Sequence, residues 1–241
     1  MLTSNRFPSS DVFNVTSPQP VSCSIGLYVP SCADRCVRIG QSNADDPAET
    51  IVLYDPAAPA SQRFTTDFPV SQIARMYHST STLLPDGRIM LAGSNPNADV
   101  SVIEYPTEYR VEYLSPPYLF QPRPTYSGLP KNLPYNKNFE LSVALPKTGT
   151  VTVALIDLGF QTHGVGYNQR YVTLEATLSK NRRTLTVAGP PNTNIYPPGP
   201  GFLFVLCNNI PSVAQKVMVG SGAAPAFDAA ASKSTHTCVR S

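Results

Sequence analysis

A tyrosine and a histidine stand side by side at Tyr77 and His78, and a second histidine, His163, lies in the polar stretch Gln161-Thr-His-Gly-Val-Gly-Tyr-Asn-Gln-Arg170. Imidazole nitrogens and a phenol oxygen are potential metal donors, and both groups can also move protons. A histidine beside a strand is equally a common hydrogen-bonded structural residue, so spacing alone leaves both readings open. The third histidine, His236, falls in the C-terminal stretch. Other chemistries find no footing: there is no Gly-x-Ser-x-Gly elbow, no glycine-rich phosphate loop and no His-Glu-x-x-His. The five cysteines are Cys23, Cys32, Cys36, Cys207 and Cys238. Cys32 and Cys36 could hold a metal or pair with each other, but no second pair follows at zinc spacing. Asn14-Val15-Thr16 is a glycosylation sequon, meaningful only in an exported chain.

The elements that must position these residues read as strands. Residues 51–54, 79–84, 88–92 and 108–114 are short apolar or alternating runs, the middle two flanking the hairpin turn Pro85-Asp86-Gly87. Tyr109, Val111 and Tyr113 fall on one face of the last run, and the four runs together predict one sheet. Residues 121–130 contain three prolines, which predicts a break in the sheet and a domain boundary. Beyond it, runs at 139–145, 151–156, 170–175, 184–187, 201–206 and 214–219 predict an immunoglobulin-like sandwich. Residues 161–170 read as a loop between two of those strands.

Composition sets the outer bounds. Of 241 residues 41% are hydrophobic and only 14% charged, enough apolar surface for a core and too little charge for a disordered chain. Twenty-five prolines exclude a long-helix protein. A net charge of +2, with scattered rather than blocked charges, leaves no footprint for nucleic acid. No run of about 18 apolar residues predicts a membrane span, and the first residues carry no apolar stretch of the secretion-signal kind.

Several ordered motifs resemble a known family. Ala74-Arg-Met-Tyr-His-Ser79, Leu83-Leu-Pro-Asp-Gly-Arg88, Ala92-Gly-Ser-Asn-Pro-Asn97 and Pro106-Thr-Glu-Tyr-Arg110 resemble the end of the kelch-type propeller in fungal and plant glyoxal oxidases. Thr162-His-Gly-Val-Gly-Tyr-Asn-Gln-Arg170, Pro197-Pro-Gly-Pro-Gly-Phe-Leu-Phe-Val-Leu206 and Ile210-Pro-Ser-Val-Ala214 are similar to the early-set domain of glyoxal and galactose oxidases. The implied fold is all-β: a partial kelch-type β-propeller over 49–120, then an early-set immunoglobulin-like β-sandwich over 121–221. A poorly specified segment, 1–48, and a flexible tail, 222–241, flank them.

The resemblance also implies a copper radical oxidase, represented here by its C-terminal part. Tyr77, His78 and His163 match copper ligands, with Tyr77 also the catalytic base, and Gln169 and Arg170 stand close behind them. Imidazole nitrogens suit copper in a tetragonal site, and a phenol oxygen is a weaker axial ligand. Tyr105 and Tyr167 are aromatic candidates nearby. The implied reaction takes a small aldehyde, as its hydrate, or an alcohol, passes two electrons to dioxygen and yields hydrogen peroxide. The family's Tyr–Cys radical cofactor has no matching segment in this chain. An extracellular location goes with the resemblance. Two other readings stand beside it: a carbohydrate- or wall-binding module using Tyr135, Tyr171 and Tyr196, and an inactive remnant with open strand edges.

Overall fold

The computed structural model describes residues 26–28, 37–38, 41–42, 47, 49–55, 58–96, 105–162 and 165–222. These residues are all-β, apart from two short 3-10 turns at Ala60–Gln62 and Pro117–Phe120. No helix among them is long and apolar enough to cross a membrane. Residues 222–241, the predicted tail, lie outside the described residues except Gly222.

The N-terminal strands are short. They are β1 (Gly26–Tyr28), β2 (Val37–Arg38), β3 (Gln41–Ser42), β4 (Val52–Tyr54) and β5 (Phe64–Thr65). β4 lies between β1 and β5 in one sheet, while β2 and β3 form a separate ribbon. Next, β6 (Thr80–Leu83), β7 (Ile89–Ala92) and β8 (Val111–Leu114) form an antiparallel meander. The four runs predicted as one sheet therefore divide: β4 hydrogen-bonds elsewhere and contributes only packing, because Ile51 joins Ile89, Leu91 and Leu114 in a small core. Alternation also proves two-sided along β8. Val111 and Tyr113 are exposed, as is the preceding Tyr109, while Leu114 is buried and Glu112 faces a buried arginine.

The remainder is a sandwich. Its strands are β9 (Thr125–Ser127), β10 (Asn132–Leu133), β11 (Asn138–Ala144), β12 (Val151–Asp157), β13 (Phe160–Thr162), β14 (Val165–Tyr167), β15 (Arg170–Leu174), β16 (Ala176–Leu178), β17 (Thr184–Ala188), β18 (Gly199–Cys207), β19 (Ile210–Pro211) and β20 (Gln215–Val219). One sheet runs β16-β17-β11-β9, the other β10-β20-β18-β12-β15, with β19 on β18. β11 alternates strictly between exposed and buried, putting Phe139, Leu141 and Val143 inside.

β12 and β18 read instead as nearly unbroken apolar runs because both of their faces are covered. Val153, Leu155, Leu203 and Val205 enter the sandwich core. Ala154, Ile156, Phe204 and Leu206 turn the other way and pack with Ala214 and with Leu83 of β6. Leu83 also touches the small core around Ile89, so one side chain joins the two parts of the molecule.

Polar contacts reinforce that joint at the β6–β7 turn. Arg123 donates from Nε to Pro211 O (2.7 Å), from Nη1 to Asp86 O (2.7 Å) and from Nη2 to Ser212 O (2.6 Å). The Ala214 N–H donates to Pro85 O at 2.8 Å, and Tyr118 Oη donates to Gly87 O at 2.5 Å. Burial pulls the Arg123 guanidinium below its ordinary value, the mark of a charge held in the joint rather than in water. The proline-rich stretch predicted to break the sheet instead holds β9. Thr125–Ser127 fits between the prolines because β9 is an edge strand, where a missing N–H need not leave a ladder bond empty.

Candidate metal centre

Tyr77 and His78 occupy a tight turn just ahead of β6. The Ser79 N–H closes it by donating to Met76 O at 3.0 Å. Arg75, Met76 and Ser79 are buried, which anchors the turn on both sides and leaves Tyr77 half-buried and His78 exposed. The two rings lie 4.0 Å apart between centroids, tilted by 32°. His78 has a φ of +66°, a left-handed conformation that a non-glycine residue adopts only when its surroundings enforce it.

What enforces it is the strip Gly93-Ser94-Asn95, where the chain leaves β7. The Met76 N–H donates to Ser94 Oγ at 2.9 Å and the Asn95 N–H to Tyr77 O at 2.7 Å. His78 Nδ1 sits 3.1 Å from Asn95 O. With the proton on Nδ1, that contact is a hydrogen bond to a carbonyl, and the lone pair resides on Nε2, the form that ligates a metal. Gly93 must be glycine here: its φ is +76°, and a Cβ would lie 2.7 Å from His78 O.

Downstream, the Glu108 N–H donates to Ser94 O at 2.9 Å. Hydrogen bonds from Arg110 hold the Glu108 carboxyl well down, at about 2, against the small upward push of burial. Glu108 therefore stays charged across the physiological range, bracing Arg110, while its backbone N–H ties the approach to β8 to the strip.

His163 lies outside the described residues, as does Gly164. The flanking residues, predicted as a loop, are a hairpin: β13 and β14 pair antiparallel, Phe160 with Tyr167 and Thr162 with Val165. Phe160 and Tyr167 stack with centroids 5.2 Å apart and planes within 11°. That ring stack is a cross-strand pair of the kind that fixes register, which the polar composition of the segment concealed. At the hairpin's base, Arg170 opens β15 opposite Asp157 and donates from Nη2 to Asn168 Oδ1 at 3.3 Å. Its Nε is buried with no hydrogen-bond partner among the described residues. Gln169 is half-buried beside it, and Tyr105 is half-buried with a φ of +57°.

One imidazole with a carbonyl-bonded Nδ1 and one adjacent phenol fit a copper ion as part of a mixed nitrogen and oxygen set. No cluster of three His, Cys, Asp or Glu occurs among the described residues. Cys207 is buried in β18 with its Sγ 3.5 Å from Lys147 O, and its partner is thus a backbone carbonyl.

Residues 33–118 match the family described as Glyoxal oxidase N-terminus, and residues 123–219 match the Galactose oxidase-like, Early set domain. The chain belongs to the glyoxal oxidase and galactose oxidase-like family. It is similar to the aldehyde oxidase GLOX of Vitis pseudoreticulata, 37% identical over 187 residues that cover 73% of this chain and 36% of the relative. A galactose oxidase of Gibberella zeae is 26% identical over 220 residues, 85% of this chain and 32% of that one. The chain spans about a third of the length of the curated relatives it matches.

A solved fungal alcohol oxidase of the AA5 family, in complex with copper, superposes with a TM-score of 0.63 at 23% identity over 79% of this chain and 39% of that one. The two share a fold, and with the early-set match this makes the all-β architecture a propeller part followed by a sandwich.

Two aspects of the sequence reading change. Tyr196, a candidate sugar-stacking aromatic, is fully buried in the sandwich core, and its Oη donates to Pro200 O at 3.0 Å. A ring used up in the core presents no face to a ligand, so that candidate is withdrawn. Of its companions, Tyr135 and Tyr171 are half-buried, with Tyr135 Oη donating to Tyr196 O at 2.8 Å. Sequence reasoning also gave no role to Arg75, Ser94, Asn95 and Glu112. The available signal was a lone arginine set between apolar residues, Ile73-Ala-Arg-Met76.

Proposed function

We propose that this chain forms the propeller-end and early-set part of a copper radical oxidase that converts small aldehydes, as hydrates, or alcohols with dioxygen to the oxidised product and hydrogen peroxide. The observation that carries this reading is the Tyr77–His78 turn, with its rings 4.0 Å apart and His78 Nδ1 engaged by Asn95 O at 3.1 Å. Tyr77, His78 and His163 would hold the metal, and the hairpin β13–β14 carries the last of these. When bound, copper supplies the electron-accepting and dioxygen-reducing chemistry.

The chain's own part is to bind and to move a proton. The Tyr77 phenol would take the substrate hydroxyl proton, while the two imidazoles would help to hold the metal. Arg170, with a buried Nε lacking a partner among the described residues, would orient the hairpin or the substrate beside Gln169. For an aldehyde hydrate, two electrons and two protons leave the substrate and reappear in hydrogen peroxide. Residues 49–120 would form the propeller part and 121–221 the sandwich, and a secreted oxidase would carry them. The family's Tyr–Cys radical cofactor would have to come from outside the described residues.

A copper titration of the purified chain followed by electron paramagnetic resonance tests the reading. The expected result is one Cu(II) per chain with nitrogen hyperfine structure, abolished by both His78→Ala and His163→Ala, and peroxide from methylglyoxal only where the radical cofactor is also supplied. A well-folded chain without a specific Cu(II) signal would overturn it.

A further inference from the structure

The Arg75 side chain, 97% removed from solvent with 3% exposed, reaches the first residue of the Gly93-Ser94-Asn95 strip, whereas His78 meets the last. All three of its nitrogens are committed. Nε contacts Glu112 Oε2 at 2.8 Å, Nη1 donates to Gly93 O at 2.8 Å and Nη2 donates to Arg110 O at 3.0 Å. Glu112 is held in turn by Ser71 Oγ, 2.9 Å from Oε1. A buried guanidinium with a planar fork is stiff and directional, and it binds β7's exit and β8 in one fixed relation.

We propose that Arg75, oriented by Glu112, is a positioning residue for the metal-binding turn: it clamps Gly93 so that the next two residues hold Tyr77 and His78 in ligating orientation. The route is short and physical. Arg75 fixes the Gly93 carbonyl; Ser94 Oγ then receives the Met76 N–H, and Asn95 donates its N–H to Tyr77 O and offers its carbonyl to His78 Nδ1. Each of the three consecutive residues of the strip contacts the 75–78 segment. The strained φ of +66° at His78 persists because these contacts together exceed its cost. A buried ion pair adds little net stability over a well-packed apolar pair, so its use here is orientation. The link to a metal rests on the oxidase reading above; the clamp on the turn does not.

The test uses the full chain with Arg75→Met, Arg75→Lys and Glu112→Gln, and with Arg88→Gln on the same sheet as control. Without metal, amide hydrogen exchange is read at Met76 and Asn95. Arg75→Met should speed both at least about tenfold, the loss expected for a buried charged hydrogen bond, while Leu155 and Val205 in the sandwich keep their protection. Arg75→Lys should restore part of the protection and Arg88→Gln should change nothing.

With Cu(II), Arg75→Met should weaken binding about 10-fold to 100-fold, the usual loss when a group supporting a ligand is removed, with altered nitrogen hyperfine structure. If Arg75→Met fails to fold, Glu112→Gln decides by the same two readouts, with smaller changes in the same direction. Unchanged exchange at Asn95 in a folded variant, or an equal loss of protection in the sandwich core, overturns the proposal. If the parent chain binds no copper, the oxidase reading fails and the exchange measurement alone decides the clamp.

Discussion

His78 and Gly93 face each other across the turn, and both need positive φ, at +66° and +76°. Their requirements differ. Glycine occupies that region freely, whereas a histidine there stores strain of about 1–2 kcal/mol. His78→Asn, which tolerates the left-handed region, is expected to keep or raise thermal stability while abolishing Cu(II) binding. A calorimetric scan beside a copper titration reads both, and a large stability loss would mean that the ring itself holds the turn. Gly93→Ala should do the opposite. Its Cβ would sit 2.7 Å from His78 O, so the variant should lose roughly 1–3 kcal/mol in urea unfolding and loosen the His78–Asn95 contact. The motif marked Tyr77 and His78 in the sequence because they are adjacent; Arg75 and Glu112, 37 residues apart, became partners only through the pairing of β7 with β8.

At the scale of elements, Tyr126 of the edge strand β9 staples the two sheets together. Its Oη donates to Leu203 O at 2.5 Å and accepts the Gln215 N–H at 2.9 Å. Burial pushes this phenol up to about 12. The unfolded phenol titrates near 10, so above pH ~10 the unfolded chain sheds a proton that the folded chain keeps. Stability supplied by Tyr126 is thus complete below pH ~10 and is lost as pH rises through about 12. Tyr126→Phe should flatten that alkaline limb and lower stability at neutral pH by about 1–3 kcal/mol, since two backbone partners lose their bond. Denaturation curves between pH 7 and 11.5 check both effects. Leu155→Ala, in β12 with 0% exposure, should cost about 2–5 kcal/mol from the cavity it leaves, measurable by the urea midpoint. β9 escaped the sequence reading because prolines on both sides masked a three-residue strand, whereas β11 and β18 were legible from alternation and from an unbroken apolar run.

Across the whole molecule, the joint between meander and sandwich is built from Leu83 and from the three Arg123 bonds to Asp86, Pro211 and Ser212 carbonyls. The hairpin β13–β14 belongs to the sandwich side and the Tyr77–His78 turn to the meander side, so the joint sets the framework in which both are held. Arg123→Met should lower stability by about 2–3 kcal/mol, the scale of a buried charged donor set. It should also split one calorimetric transition into two, with the sandwich unfolding last. A single transition in the variant would mean that apolar packing around Leu83 couples the parts without the arginine.

The sequence by itself determined the longer strands, through a period of two where one face meets water and continuous apolar runs where both faces are covered, and it marked Tyr77, His78 and His163 through motif context. Only the tertiary structure decided that β4 leaves the meander's sheet, that Tyr196 is core rather than surface, and that Arg75 reaches Gly93, Arg110 and Glu112 at once. The reason is physical: periodicity reflects a residue's local exposure, whereas partners distant along the chain are chosen by strand register and packing.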